Sequence, residues 1–515
     1  MIVKGILKKG AYYDSVSLMI VSKELNQLEG IKDSSVVMGT QENRAILNAA
    51  GLMVSDFDKS NDTDLLISIK AISEEAISKA FAKVDQLLKD IRNKHDETGD
   101  VKAHSLEQAV KQLSGANLSL ISIAGKYAAR EAMKALQQGL HVMLFSDNVS
   151  ISEEIELKQF ARNKGLMVMG PDCGTAIING IPLAFANVVQ KGNIGIVAAS
   201  GTGLQEVSSL ISNEGAGISQ AIGTGGRDVK KEVGGIMFIE AMKALAQDEE
   251  TKIIVLISKP PHEEVLQKIS DEIKKIKKPV IAILIGGNPK PLRNAGAIPA
   301  HNLEEAAIYA ASLSKGIEVE KALNKIELRD VEILAQSEKL AKNCSGKYIR
   351  GLFSGGTLCD ETQLILKDTI GYVHSNAPLN PDYQLKNLWK SEGNTILDMG
   401  EDEFTSGRPH PMIDFSLRNK RIIEEAENKE VAIILLDVVL GYGSHLDPAS
   451  ELVPVIRKAL EISPKLLFIC SVTGTNQDPQ NRNEVIHKLE KAGALVMPSN
   501  VAASKLVGAI AKLIR

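Results

Sequence analysis

The sequence predicts a multidomain α/β protein, and three observations carry that expectation. Short apolar strand-like runs alternate with amphipathic helical patterns through most of the 515 residues, the order from which parallel sheets are built. A strand, a glycine turn and a helix follow one another in the same order twice, as NIGIVAASGTGLQEVSSLI from Asn193 and YIRGLFSGGTLCDETQLIL from Tyr348. Finally, 44% hydrophobic and 24% charged residues are globular proportions, and the length suits three or four domains.

Residues 1–110 alternate strand patterns (Val3 to Leu7, Ser35 to Met38, Leu65 to Ile69) with helical ones (Asp14 to Leu28, Glu74 to Leu88), as a small ferredoxin-like α+β domain would. The polar run Asn93 to Asp100 reads as a linker. Residues 111–190 hold LSLISIAG, REAMKALQQGL, HVMLFSD, ISEEIELKQFARNKG and LMVMGPD, a Rossmann-like strand-helix series. Its first turn, Ala124-Gly125-Lys126-Tyr127, lacks the G-x-G-x-x-G spacing of a dinucleotide site, which weighs against a nicotinamide cofactor. Residues 191–320 and 321–515 are expected to be two copies of one flavodoxin-like sheet: KIIVLISKPP then KPVIAILIGG continue the first, VAIILLDVVLGYG then PKLLFICSVTG the second. The charged span Glu318 to Lys342 would join them as a mostly solvated helix.

Net charge is only −4, and no stretch gathers Lys and Arg with interleaved aromatics, so nucleic acid is not an expected partner. Met1-Ile2-Val3-Lys4-Gly5 lacks the order of a signal peptide and no apolar run is long enough to span a bilayer, which points to the cytoplasm. Cys173, Cys344, Cys359 and Cys470 are widely separated, as free thiols would be, and no metal is expected.

Each glycine turn leaves unpaired N–H groups at the positive end of a helix dipole. Ser200, Gly201, Thr202 and Gly203 in one copy, and Ser354, Gly355, Gly356 and Thr357 in the other, are therefore candidates for binding phosphate or carboxylate. The plain alternative is an N-cap with a tight turn, against which two matched copies weigh. Gly225, Gly226 and Arg227, in Ile222 to Asp228, offer a flexible backbone and a fixed positive charge; alternatively Arg227 and Asp228 pair with each other or with solvent. In the second copy, prolines on both sides of His410 would hold Arg408 and His410 as a clamp or proton carrier, or simply stiffen a surface turn. Lys259 and His445 follow equivalent strands, where functional groups gather but exposed loop residues are also common. Cys173 has no recognisable base beside it and is expected to be a packed thiol.

GPDCGT, GNIGIVAASGTGLQEVSSLI, AIGTGGRD, KPVIAILIGG and RNAGAI resemble the α subunit of succinyl-CoA synthetase, and the tail resembles the ligase domain of its β subunit. With DSVSLMIVSKEL near the start and SGRPHPMID in the last third, the fused order resembles the FdrA family over essentially the whole chain. The synthetase resemblance implies a CoA-binding-type domain at 111–190, ligase-type domains at 191–320 and 321–515, and two helix starts facing a phosphate carried on a histidine. That histidine sits in G-H-A-G-A, which here is Arg293-Asn294-Ala295-Gly296-Ala297, and Asn294 cannot carry a phosphoryl group. Lys259 stands where the synthetases have a supporting acid, and no segment resembles an ATP-grasp domain.

The FdrA resemblance implies a subunit of oxamate carbamoyltransferase, interconverting N-carbamoyl-oxamate plus phosphate with oxamate plus carbamoyl phosphate in anaerobic allantoin and purine catabolism. It also implies companion subunits and homo-oligomers. In that expectation the paired turns bind phosphate, Lys259, Asn294 and Arg227 hold the carbamoyl or oxamate end, and Arg408 and His410 close the site. No cofactor is required, although CoA is possible. Two other readings are a CoA ligase subunit that borrows ATP activation from a partner, and a non-catalytic assembly scaffold.

Overall fold

The computed structural model describes all residues except Tyr12, Asp14, 97–102, His104, 406–408 and Arg515. It divides into two units, Met1–Ala109 with Glu401–His410, and Val110–Gly400 with Pro411–Arg515.

The first unit contains β1 (Ile2–Lys8), α1 (Ser15–Asn26), β2 (Ile31–Met38), α2 (Gln41–Ala49), β3 (Leu65–Ala71) and α3 (Glu74–Asp96). The sheet is antiparallel in the order β1-β3-β2. Central β3 is apolar along most of its length because both of its faces are covered: Leu65, Ile67 and Ile69 pack with Ile77, Ala80 and Val84 of α3, while Leu66 packs with Leu47, Leu52 and Phe57. The polar run expected as a linker continues α3 as far as Asp96, and the rest of it up to residue 100 lies outside the described residues.

After α4 (Leu106–Gln112), a three-stranded parallel sheet is built from β4 (Leu118–Ile121), α5 (Gly125–Gln137), β5 (His141–Leu144), α6 (Ile151–Lys164) and β6 (Val168–Met169). This is one βαβαβ half of a doubly wound fold. A capping box at Ser150 and Glu153 starts α6, and left-handed Gly165 ends it.

The next sheet comprises β7 (Thr175–Ile178), β8 (Ile181–Ala184), β9 (Lys191–Ala198), α7 (Gly201–Asn213), β10 (Ile218–Gly223), α8 (Ile236–Gln247), β11 (Ile253–Ser258), α9 (Glu263–Ile273), β12 (Val280–Leu284), α10 (Lys290–Asn294), β13 (Ile298–Ala300) and α11 (Leu303–Ser314). Its order is β13-β12-β11-β9-β10-β7-β8. The hairpin β7–β8, although it precedes residue 190, pairs through β7 with β10.

Long α12 (Val319–Asn343) leads to β14 (Tyr348–Phe353), α13 (Gly356–Ile370), β15 (Thr395–Asp398), α14 (Asp402–Thr405, in the first unit), α15 (Ser416–Glu427), β16 (Val431–Val439), α16 (Pro448–Ile462), β17 (Leu467–Thr473), α17 (Arg482–Lys491), β18 (Ala494–Met497) and α18 (Asn500–Leu513). The sheet order is β15-β14-β16-β17-β18. Counted by appearance, the parallel strands of both large sheets run 2-1-3-4-5, the flavodoxin-like order. The two copies read from the sequence are therefore two copies in space.

They share one core. Leu204 and Val207 of α7, Leu303 and Ala307 of α11, Leu358 and Leu366 of α13, and Leu506 and Ile510 of α18 belong to a single buried cluster. Helix α12 is not the solvated tether expected from its charge: it buries Ala322, Ile326 and Ile333 and packs on α11 and α18.

Candidate functional site

In a 2-1-3-4-5 sheet a crevice opens beyond the C-terminal ends of the first and third strands, where the crossovers part to opposite faces. Ser200–Gly203 and Lys259 occupy those strand ends in the first large sheet, and Ser354–Thr357 with the end of β16 occupy them in the second. The two helix starts meet. Ser200 Oγ lies 2.6 Å from Thr357 Oγ1, and the Thr357 N–H donates to Thr202 Oγ1 at 3.3 Å. Lys259, beyond β11, forms an ion pair with Asp360 of α13, so its charge is directed across to the other copy. Burial raises the Asp360 carboxyl above its ordinary value, and Lys259 opposes that.

The two turns differ in what their donors do. At the second, the N–H groups of Ser354 and Gly355 each donate to Asp437 at 2.8 Å, and the Ser354 hydroxyl donates to it at 2.9 Å. Arg418 Nη1 meets the same carboxylate at 2.9 Å, with both side chains fully buried. A Cβ on Gly356 would fall 2.4 Å from Asp398 Oδ2. That helix start thus binds a carboxylate of its own chain. At the first turn, Ser200 Oγ caps the Gly203 N–H at 3.0 Å, while the amides of exposed Gly201 and of Thr202 have no acceptor among the described residues. Capacity for an external anion therefore lies with α7. Asp437 was overlooked in the sequence, although a single acid inside VAIILLDVV was the available signal, since a buried charge requires partners.

Gly226 borders the same opening: it is exposed, and a Cβ there would be 3.8 Å from the Ala199 carbonyl oxygen. Gly225 has φ +82°, and a Cβ would come within 2.3 Å of the Pro171 carbonyl oxygen, so this close approach admits only glycine. Arg227 and Asp228 pair neither with each other nor with solvent alone. Arg227 Nη2 forms an ion pair with Glu154 and donates to the Val149 carbonyl, both at 2.9 Å. Asp228 accepts from fully buried Lys158 at 2.8 Å and caps α8 through the Phe238 N–H at 2.7 Å. Buried Glu154 and Lys158 recruit these partners, which join α6 to the start of α8.

Asn294 ends α10 exposed to solvent. His410 belongs to the first unit rather than to the one carrying the turns, and Arg408 lies outside the described residues. His445 stands edge-on to Phe415 with Nε2 3.6 Å from Glu451. Cys173 is buried with Sγ against the carbonyls of Thr175 and Gly223, and burial pushes its thiol up to about 12, which leaves it inert. All four cysteines are free, and among the described residues no three His, Cys, Asp or Glu are grouped to hold a metal ion. Nor is any helix among them long and apolar enough to cross a membrane.

Residues 352–510 match the CoA-ligase family model, 189–286 match the CoA binding domain, and 1–105 match the AllF heavy metal-associated domain. YahF of Escherichia coli K12 is 41% identical over 510 residues, 97% of each chain. The chain belongs to the FdrA-like, succinyl-CoA synthetase-like family. More distant relatives of this FdrA-like chain include the succinate–CoA ligase α subunit of Staphylococcus epidermidis, 28% identical over 209 residues, 38% of the chain and 67% of the relative. Among solved structures, acetyl-coenzyme A synthetase 1 of Ca. Korarchaeum cryptofilum aligns with a TM-score of 0.36 and 14% identity, covering 80% of the chain and 88% of its own. PH0766 from Pyrococcus horikoshii OT3 aligns with a TM-score of 0.33 and 17% identity, covering 78% and 86%.

These matches overturn the carbamoyltransferase expectation for this FdrA-like chain. The family models over 189–286 and 352–510 and the succinate–CoA ligase relatives are CoA-binding or CoA-ligase proteins, so oxamate, carbamoyl phosphate and allantoin or purine breakdown are withdrawn as substrates, partners and pathway. The geometry agrees physically: Lys259 and Arg227 are engaged with Asp360 and Glu154, and Asn294 stands exposed, so the three do not converge as free groups on a carbamoyl end. Segment 1–105 contains no cysteine, and so lacks the soft thiolate ligands that select a heavy metal.

Proposed function

We propose that the chain is a CoA-ligase subunit of the acyl-CoA synthetase type, which handles the acyl and CoA end of the reaction while a partner with its own nucleotide site activates the carboxylate. The observation that carries this reading is the meeting of the α7 and α13 starts, with open amides at Gly201 and Thr202. An acyl phosphate would rest its phosphate on the α7 start, where N–H groups and the helix dipole favour negative charge. The CoA sulfur then attacks the acyl carbon, the bond from that carbon to the phosphate oxygen breaks, and the thiol proton leaves with inorganic phosphate. Asn294 cannot carry a phosphoryl group, so the phosphate arrives with the acyl group. Match of 189–286 to a CoA binding domain, a span containing the α7 start, Gly225 and Gly226, supports the same placement.

The test is calorimetric titration of the full chain with CoA, followed by CoA-dependent phosphate release from acetyl and succinyl phosphate. Binding is expected, with release lost in a folded Gly201→Asp variant. Absence of CoA binding, or release unchanged in that variant, would overturn the proposal.

A further inference from the structure

The second large sheet displays its glycine turn in an occupied form. Its third parallel strand, β16, supplies Asp437, which fills the α13 start: two N–H groups and a hydroxyl donate to it, and Arg418 balances its charge. Amides, a hydroxyl and a cation together make a complete anion site. At the α7 start the amides of Gly201 and Thr202 have no acceptor among the described residues, and the Ser200 and Thr202 hydroxyls lie beside them. The third parallel strand of that sheet, β11, leads to a group of the opposite sign, Lys259. An acid fills one turn from within, whereas a cation stands beside the turn that is open to an anion from outside.

Both ends of the Lys259 side chain are placed against the junction of the two helix starts. Its backbone lies level with Ser200, because β11 and β9 pair in parallel with Ile257 opposite Ala198, and the Ala199 N–H donates to the Ile257 carbonyl at 2.9 Å. Pro260 and Pro261 follow and restrict that backbone. Its ammonium pairs with Asp360, one turn along α13 from Thr357, and Thr357 Oγ1 is 2.6 Å from Ser200 Oγ. The pair is exchangeable. Lys259 is 55% exposed and Asp360 15%, so water screens the attraction at the lysine end, and the flexible stem lets the ammonium turn while its backbone stays in place. Arg227, next to Gly226, is by contrast held by fully buried Glu154 and the Val149 carbonyl.

We propose that Lys259 is the cation of the α7 anion site, exchanging Asp360 for an incoming phosphoryl group. Such a group carries a charge of about −2, which open amides and a helix dipole worth about half a charge do not balance by themselves. The proposal rests on the reading of the α7 start as the phosphate seat and adds the charge that completes it.

Calorimetric titration of the full chain with inorganic phosphate, in the absence of CoA, tests it. Phosphate is expected to bind, and Lys259→Gln to weaken it about tenfold or more. Asp360→Asn should instead strengthen binding a few-fold, since it removes the competitor for the lysine, and the double variant should bind like Lys259→Gln. An ion pair that only braced α13 would weaken binding from either side, so the opposite signs separate the two roles. Absence of phosphate binding by the wild-type chain, unchanged affinity in a folded Lys259→Gln chain, or unchanged or weaker binding in Asp360→Asn overturns the inference. Because CoA takes no part, the expected signs stand even where CoA-dependent release fails. Release that is lost in Gly201→Asp, beside phosphate binding indifferent to Lys259→Gln, overturns this inference alone.

Discussion

Asp437 does at the second glycine turn what a substrate anion would do at the first: it accepts two amides and a hydroxyl while Arg418 balances its charge. Replacing Asp437 with alanine would leave that guanidinium buried and the donors unpaired, and a loss of about 3–5 kcal/mol is expected. A lowered urea midpoint with unchanged slope would show it. The thiols form a second residue-scale case. Burial pushes Cys173 and Cys470 up to about 12 and Cys359 well above its ordinary value, so a thiol reagent at mildly alkaline pH should leave these three unmodified in the folded chain and reach all four after unfolding. Rapid modification of Cys173 in the native state would contradict this. The packed state of Cys173 was legible because nothing near it in sequence could act as a base. The partners of Arg227 and Asp228 were not, because Glu154 and Lys158 reach them only once α6 has docked.

That docking is an element-scale property. Lys158 holds Glu154 and Asp228, and Asp228 holds the first turn of α8. Lys158→Met should destabilise by about 3–5 kcal/mol, since buried Glu154 would then keep only Arg227 and buried Asp228 only the N–H groups of Met237 and Phe238. A double-mutant cycle with Asp228→Ala should show coupling of about 0.5–3 kcal/mol, and strict additivity would argue against the link. Strand-turn-helix repeats were readable because their signals are local: an apolar run, a capping residue, glycine, then helical spacing. The surface charge of α12 concealed its buried stripe, Ala322, Ile326 and Ile333, because a few small apolar residues among many charges look like a solvated helix until a neighbour is known. Likewise β7 and β8 carry no mark of which sheet they will join, since the choice depends on the free edge of β10.

For the whole molecule, the buried carboxyls set the response to pH. Glu361 keeps its proton up to about 8 when folded but loses it near 4.5 when unfolded, so the folded state holds the extra proton between those values. Stability must then fall as pH rises through that window, by up to about 1.4 kcal/mol per unit from this group. Comparing the unfolding free energies of the wild-type chain and Glu361→Gln across the window isolates the effect: their difference should grow with pH in favour of the variant, and a constant difference would refute it. The doubled architecture was legible from Asn193 and Tyr348 onward, and aligning those segments also places Glu206 opposite Glu361. What the alignment could not convey is that each glutamate caps a helix of the other copy, because capping partners emerge only when the copies fold against each other.

That exchange of caps makes the two flavodoxin-like halves resemble an obligate dimer written on one chain. A cut at Gly316, in the loop before α12, would give two pieces, each carrying a glutamate without its helix and a helix without its glutamate. Produced separately, they should be poorly folded; produced together, they should recover a complex with native-like unfolding. A first piece that folds alone with the stability of the intact chain would show the halves to be self-sufficient. In the predicted case the covalent link through α12 serves mainly as an effective concentration, keeping together two partners that have already divided the task of completing each other.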